Sequence, residues 1–259
     1  MELGLRGAKA LVTGSTRGIG LAIAKTLAGE GCSVAVCGRD PDQLALTATE
    51  LKESGTEVFA AALDVTQPDA LTNFVDDAAN ALNGLDLVVA NAGGALGGAL
   101  SDSTGQDWMD SYSLNVAHSV NLLRAARQYL AAAKNPAAVM ISSISGSKPA
   151  PRAQYGASKA ALIYLAGALA HELAEDGIRV NTVSPGSILF PNGGWDQYRT
   201  RDPQGFQSFL DRDLPAGRLG TADEVAVVVA FLLSPLAKWI NGANIPVDGA
   251  QGRPSAGGW

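Results

Sequence analysis

Histidine, cysteine and methionine are scarce in this chain: two His, two Cys and three Met among 259 residues. Each shortage closes off a class of chemistry. Cys32 and Cys37 lie on or beside one apolar, extended segment, five positions apart. Thiols held that way do not meet in a normal disulfide. They are expected to be buried apolar filler in a reducing, cytoplasmic setting. His118 and His171 have no Cys, His or acidic cluster at ligand spacing. Both are read as helix-surface or satisfied core residues, and no metal is expected. Charge is thin as well, 17% of residues with a net balance of −6. An acidic surface repels phosphate backbones, so nucleic acid is not an expected partner. Long apolar runs are missing too. Stretches such as residues 225–233 are too short to cross a bilayer, so no membrane partner is expected. Residues 1–7 lack the basic and apolar regions of a signal peptide.

What the chain does have is apolar residues, 47% of the total, and 30 glycines without a Gly-X-Y period. The glycines sit at the ends of apolar runs, where turns and close backbone approaches need them. Strand-like runs are predicted at 8–13, 33–37, 57–62, 85–90, 137–142, 179–183 and 245–247. Helical periodicity fills 18–30, 68–82 and 155–174. Another helix starts at Asp40-Pro41, with Asp as N-cap and Pro at the first position. Two more start at the capping-box spacings Ser103-x-x-Gln106 and Thr221-x-x-Glu224, the latter running through Leu233. Strands alternating with helices imply one doubly wound α/β domain over 1–259, a parallel sheet with helices on both faces. Continuous apolar strands fit a sheet covered on both sides. Residues 187–219 read as one long irregular stretch, a length that usually marks a functional lid.

The first strand runs into Thr13-Gly14-Ser15-Thr16-Arg17-Gly18-Ile19-Gly20, and a helix follows at once. Small residues let the backbone approach a pyrophosphate, and the helix N-terminus offers unpaired N–H groups and partial positive charge. In the first β-α turn this is the expected place of a dinucleotide site. The motif is joined by Asn91-Ala92-Gly93 after the fourth strand, by Ser143, by Tyr155-Gly156-Ala157-Ser158-Lys159 and by Ser184-Pro185-Gly186. With these in this order, from Gly7 to Gly249, the chain resembles the short-chain dehydrogenase/reductase family, including its 3-oxoacyl-carrier-protein reductase-like members.

The resemblance implies a single Rossmann-type domain with a seven-stranded parallel sheet. It implies that Gly14, Ser15, Thr16, Arg17, Gly18, Ile19 and Gly20 hold a pyrophosphate, that Asp64 and Val65 reach the adenine, and that Asn91, Ala92 and Gly93 line its ribose. Asp64 also fits a turn or cap residue before Pro68. The end of the second strand decides between NADP(H) and NAD(H). NAD sites place an acid there, whereas NADP sites supply Arg. Here the acid position is Gly38 and Arg39 follows, with Arg17 near the same phosphate, so NADP(H) is favoured. Arg39 also fits a solvated loop charge, and Asp40 a simple N-cap.

Tyr155 and Lys159, four apart on a predicted helix, share one face. Hydride transfer to a carbonyl leaves an oxygen that needs a proton. A phenol near pKa 10 becomes a better exchanger if an ammonium favours tyrosinate. The resemblance implies that Lys159 also binds the nicotinamide ribose. The resemblance places the catalytic Ser three residues before a Gly, which points to Ser143, before Gly146, rather than Ser142 to hold the substrate oxygen. The spacing to Tyr155 is then twelve residues rather than the family's usual thirteen, so the loop is read as one shorter. Asn115 resembles the family's helix-borne Asn and completes a tetrad of Asn115, Ser143, Tyr155 and Lys159. Pro185, Gly186 and the backbone of Ile188 would meet the cofactor carboxamide. The usual Thr after Pro-Gly is missing, since the run here is Ser187-Ile188-Leu189-Phe190.

The expected activity is hydride transfer between NADP(H) and a secondary alcohol or ketone. The rival readings are an NAD-dependent alcohol, sugar or steroid dehydrogenase and a non-catalytic dinucleotide sensor. Lid residues Leu189, Phe190, Trp195, Tyr198, Phe206, Phe209 and Leu210 suit a small-molecule substrate with apolar bulk. Arg199, Arg201 and Arg212 would instead suit an anionic group such as a carrier phosphopantetheine. The resemblance further implies a homotetramer, built partly from the helices bearing Asn115 and Tyr155.

Overall fold

Each apolar run feeds a short strand whose residues alternate between two cores. The computed structural model describes residues 2–149 and 151–251. Met1, Ala150 and residues 252–259, which a domain over 1–259 includes, lie outside the described residues. In chain order the first half carries β1 (Lys9–Val12), α1 (Gly18–Gly29), β2 (Ser33–Gly38), α2 (Pro41–Lys52), β3 (Val58–Ala62), α3 (Pro68–Leu82), β4 (Leu87–Ala90), α4 (Gly105–Tyr112) and α5 (His118–Ala131). There follow β5 (Ala137–Ile141), α6 (Ala153–Glu172), β6 (Arg179–Pro185), β7 (Ile188–Leu189), α7 (Gly194–Arg201), α8 (Pro203–Asp213), β8 (Gly220–Thr221), α9 (Ala222–Leu233) and β9 (Asn244–Val247).

The main sheet has seven strands, all parallel, in the order β3-β2-β1-β4-β5-β6-β9. Side chains of a strand point alternately to opposite faces, and here each face has its own core. Ala10, Val12, Val34, Val36, Leu87, Val89, Val139 and Ile141 pack with α1, α2 and α9. Leu11, Ala35, Cys37, Val88, Ala90, Ala138 and Met140 pack with α3, α5 and α6. A side chain buried as fully as Leu11 or Met140 contributes about 1.5–3 kcal/mol. Both cysteines are free and buried, and burial pushes each thiol up to about 12, so both are inert at neutral pH.

The order of the sheet reverses between β1 and β4, which lie side by side with Ala10 opposite Leu87 although β2 and β3 intervene in the chain. A crevice opens at such a switch, beyond the carboxyl ends of the strands. Three expectations need correction. The fourth helix is capped one residue later than Ser103: Thr104 Oγ1 accepts from Asp107 N at 3.2 Å, and Thr104 N donates to Asp107 at 2.7 Å. The helix bearing Tyr155 starts at Ala153 and ends at Glu172. Residues 187–219 are not irregular, for they carry β7, α7 and α8. Asp202 ends α7 and caps α8, its carboxylate accepting from Gly205 N at 2.9 Å. The lid owns a small core of Phe206, Leu210, Leu214 and Leu219, with Trp195, Tyr198 and Phe209 packed on it.

Candidate active site

A cleft of about 750 Å³ runs along the carboxyl ends of the strands. One part is made by the turn between β1 and α1. Gly14 and Gly18 adopt φ of 63° and 55°, a region that favours glycine. A Cβ on Gly20 would lie 2.3 Å from Gly14 O and 2.3 Å from Asn91 Nδ2, so the turn closes on the helix only with glycine there. Arg17 starts α1 without a side-chain cap bond, and the first turn holds no acidic residue. The helix N-terminus is therefore free to meet an anion.

Gly14, Thr16, Arg17, Gly18, Ile19 and Gly20 all line the cleft, together with Arg39, Asp64, Val65, Asn91, Ala92 and Gly93. Ser15 is not among these lining residues. It is fully buried, its N–H donates to Cys37 O at 3.1 Å, and its hydroxyl accepts from Cys37 N at 3.0 Å. Ser15 thus fastens the turn to β2. Asn91 has a second task beside lining the cleft: its amide donates to Thr13 O at 2.9 Å and Gly14 O at 3.0 Å. Thr13 Oγ1 accepts from Asn91 N and Ala92 N in return. The sequence does not single out Thr13, since nothing local marks a partner beyond β2 and β3. Asp64 does what turn chemistry predicts, accepting from Thr66 N at 2.9 Å and Thr66 Oγ1 at 2.8 Å. These bonds, the backbone one foremost, lower its pKa, as Arg39 nearby also does. Among the described residues neither Arg17 nor Arg39 joins an ion pair.

The other part of the cleft is lined by Ser143, Tyr155, Lys159, Pro185, Gly186 and Ile188. Ser143 forms a side-chain hydrogen bond with Tyr155, whereas Ser142 Oγ donates to Lys159 O at 2.8 Å. Both serines line the cleft, but the first bonds to Tyr155 and the second staples β5 to α6. Gly146 lets the turn after β5 lie directly on that helix: a Cβ there would stand 2.7 Å from Lys159 C. Lys159 is buried and its Nζ donates to Ile141 O at 2.7 Å, lying 5.6 Å from the Tyr155 ring centroid. Burial brings its pKa from 10.5 down to about 7.

Burial raises the Tyr155 pKa, and the Ser143 bond pulls the other way. The expected lowering by Lys159 is absent in the free protein. The ammonium is itself disfavoured by desolvation and is aimed at a carbonyl rather than at the phenol.

Asn115 sits behind this group in a π-helical turn, Ser113–Ala117, that joins α4 to α5. Such turns often mark functional sites. Its amide donates to Gly94 O and Ser111 O, both at 2.9 Å, and its Oδ1 accepts from Gly94 N at 3.1 Å. A Cβ on Gly93 would come within 2.8 Å of Asn115 Oδ1 and 3.1 Å of Lys159 Nζ. Ser143, Tyr155 and Lys159 thus share one corner of the cleft, with Asn115 buried behind it and locking the loop after β4.

His118 departs from expectation. It is buried, its Nδ1 is bonded to Leu114 O, and its Nε2 has no partner among the described residues. Desolvation holds its pKa down to about 4, and the nearby Lys159 charge adds to the effect. An unfolded imidazole takes its proton near 6.5, so between pH 6.5 and 4 the unfolded chain binds more protons and acid favours unfolding. Stability is expected to fall by about 3 kcal/mol across that window on account of this residue. Urea unfolding at both pH values measures it. His118→Leu should show a correspondingly smaller acid loss, and an equal loss in both proteins would contradict the assignment. His171, by contrast, lies exposed on α6.

The lid arginines are engaged locally. Arg199 bonds Asp196 at 2.7 Å, Arg212 bonds Asp213 at 2.8 Å, and Arg201 lies 5.9 Å from the Tyr198 ring centroid. None lines the cleft, whereas Phe190 and Trp195 do.

Comparison with known proteins adds to this geometry. A family described as enoyl-(acyl carrier protein) reductase matches residues 14–250. The chain is 34% identical to an isoepoxydon dehydrogenase of Aspergillus clavatus over 255 residues, 95% of each chain. It superposes on L-sorbose reductase from Gluconobacter frateurii, solved with NADPH and L-sorbose, with a TM-score of 0.93 and 32% identity, covering 98% of this chain and 100% of that one. A short chain dehydrogenase from Burkholderia cenocepacia, solved with NADP, gives a TM-score of 0.85 and 34% identity over 96% of this chain and 99% of that one.

Proposed function

The chain belongs to the short-chain dehydrogenase/reductase family, an oxidoreductase family acting on CH–OH and C=O groups, and from that premise we propose that it reduces a small neutral ketone with NADPH. The observation that carries this reading is the convergence of Ser143, Tyr155 and Lys159 on one corner of the dinucleotide cleft, with Asn115 buried behind Gly93.

The cleft fits the cofactor on its own chemistry. The glycine turn admits no Cβ at Gly20, the α1 terminus is uncapped, and two arginines without an ion pair among the described residues, Arg17 and Arg39, line the cleft. Gly14, Thr16, Arg17, Gly18, Ile19 and Gly20 would hold the pyrophosphate. Arg39 with Arg17 would hold the 2′-phosphate. Asp64 and Val65 would meet the adenine, Asn91, Ala92 and Gly93 the adenosine ribose, and Pro185, Gly186 and Ile188 the carboxamide. When bound, the dinucleotide supplies the hydride. Ser143 would hold the substrate oxygen, and Tyr155, protonated at neutral pH because burial raises its pKa, would give it a proton. Lys159 would replenish that proton and hold the nicotinamide ribose, and Asn115 would keep the loop after β4 in place.

The apolar wall of Phe190, Trp195, Leu96 and Ile188 and the local engagement of the lid arginines support a neutral substrate with apolar bulk. NADPH consumption measured against cyclic ketones, sugars, steroids and 3-oxoacyl thioesters tests this. The expected result is turnover of a ketone. Tight NADPH binding without turnover of any of them supports the non-catalytic sensor instead, and preference for the thioester supports a carrier-protein reductase.

The two serines separate cleanly. Ser143→Ala should lower kcat about 10²-fold. Ser142→Ala should keep kcat within a few-fold and cost about 1 kcal/mol of stability, because Lys159 O loses its donor. Steady-state kinetics beside urea unfolding checks both, and the reverse pattern would reassign the pair.

We further propose a cytoplasmic homotetramer. Trp108, Met109 and Tyr112, all on α4, are large and exposed on the isolated chain, as is Tyr164 on α6, which supports contacts through these helices. Light scattering that shows only monomer at micromolar concentration would refute it. No helix among the described residues is long and apolar enough to cross a membrane.

A further inference from the structure

Resting on the dinucleotide reading of the cleft, we propose that Phe190 is the gate that retains the dinucleotide, a ring that must swing away before the bound molecule can leave. Phe190 stands in the run after Pro185-Gly186 where the family's usual Thr is missing, and it lines the cleft. Its ring lies on the phosphate turn: a Cβ on Gly18 would stand 3.0, 3.0 and 3.1 Å from three of its carbons. The other contact is the root of the lid. A Cβ on Gly193 would stand 2.8 and 2.9 Å from two ring carbons, and Gly193 N donates to Phe190 O at 3.1 Å. That tight turn also holds Asn192 at φ 59°, a conformation Asn tolerates better than most residues. The ring is therefore gripped between two residues without side chains, one at the first position of α1 and one just before α7.

The packing shows why this ring matters to the lid. Phe190 packs against the core formed by α1, α2 and α9. Beyond it, Trp195, Tyr198, Phe206, Phe209 and Leu210 form a separate cluster, with Trp195 stacked on Phe209 at 4.5 Å between centroids. A segment with its own small core can open as a unit at low cost. Phe190 ties that unit to the turn where the pyrophosphate would sit. An apolar ring at this place would also keep water from hydrogen bonds between the α1 N-terminus and bound phosphates, which would strengthen them. Opening of the lid and release of the dinucleotide are thus one event, with Phe190 as its hinge contact.

The test is the rate at which bound NADPH leaves. Parent protein and Phe190→Ala are loaded with NADPH and mixed in a stopped-flow instrument with excess NADP+, and the loss of bound NADPH fluorescence is followed. Backbone hydrogen exchange of residues 187–219 in the loaded proteins is measured alongside. Release from the alanine variant is expected to be at least fivefold faster, with faster exchange across the lid. An acceleration below fivefold overturns the gate. Should the alanine variant not fold, Phe190→Leu is judged against a twofold acceleration on the same readouts. A parent protein that binds neither NADPH nor NADH overturns the dinucleotide reading itself. A parent that binds, with a variant that releases no faster, overturns the gate alone.

Discussion

Replacing Tyr155 by phenylalanine is expected to lower the rate of carbonyl reduction about 10³-fold and to leave NADPH binding within twofold of the parent. The substitution removes one hydroxyl and keeps the ring, so the wall of the cleft retains its shape. What disappears is the hydroxyl proposed to donate the proton and the partner of Ser143. A carbonyl carbon that has gained hydride leaves charge on its oxygen, and that oxygen must be protonated or stabilised. The half-buried phenol is suited to the task. Desolvation raises its pKa, so it is fully protonated at neutral pH and ready to donate. The oxidative direction requires the opposite state, and its rate is expected to climb as pH rises above neutrality. Single-turnover reduction, with cofactor binding followed separately by fluorescence, distinguishes a lost donor from a lost site. A Tyr155→Phe protein within tenfold of the parent would mean that the proton comes from elsewhere, and Ser143 would be the next group to test.

This corner is legible in the sequence where its residues lie close together in the chain or end strands. Tyr155 and Lys159 are one helical turn apart, and the Gly14–Gly20 turn is continuous, so periodicity and turn chemistry locate them. The alternation of apolar runs is likewise enough for the parallel sheet. What escapes is set by partners far along the chain. Ser15 reads as one more small residue of a phosphate turn, yet β2 takes its hydroxyl and its N–H through Cys37. Asn115 is singled out in the sequence by its likeness to the family's helix-borne Asn, but the π turn that carries it and its bonds to Gly94 have no local sign. His118 carries no local sign that burial leaves its Nε2 without a partner among the described residues. The lid helices α7 and α8 escape because their sequences, GWDQYRTR and PQGFQSFLDRD, are short and mostly polar. They are held by packing on one another and by Asp202, and their intrinsic helix preference is weak. The influence of Lys159 on Tyr155 is misread for a related reason: spacing tells that two groups share a face, but not that one of them is desolvated and turned to a carbonyl.

Arg39→Ala is expected to weaken NADPH binding about 30-fold and to leave NADH binding nearly unchanged. Arg39 is exposed at the carboxyl end of β2, lines the cleft, and has no ion-pair partner among the described residues. A 2′-phosphate is the one group that distinguishes the two cofactors, and a guanidinium is matched to it in charge and in fork geometry. Gly38, one position earlier, explains why an acid does not take this place. A Cβ there would lie 2.5 Å from Thr16 Cγ2 and 3.1 Å from Thr16 Oγ1, so the threonine occupies the room that a carboxylate side chain would enter. Gly38→Asp alone should therefore lose NADPH without gaining NADH. Combined with Thr16→Ala, which removes the obstructing methyl, the same aspartate has space to reach a ribose 2′-hydroxyl, and NADH affinity should rise. Titration of both cofactors against the parent, Arg39→Ala, Gly38→Asp and the Gly38→Asp/Thr16→Ala pair resolves each step. A gain of NADH binding by Gly38→Asp alone would mean that Thr16 does not hold this ground. Tighter binding of NADH than NADPH by the parent would mean that the arginines at this end of the cleft serve some other anion.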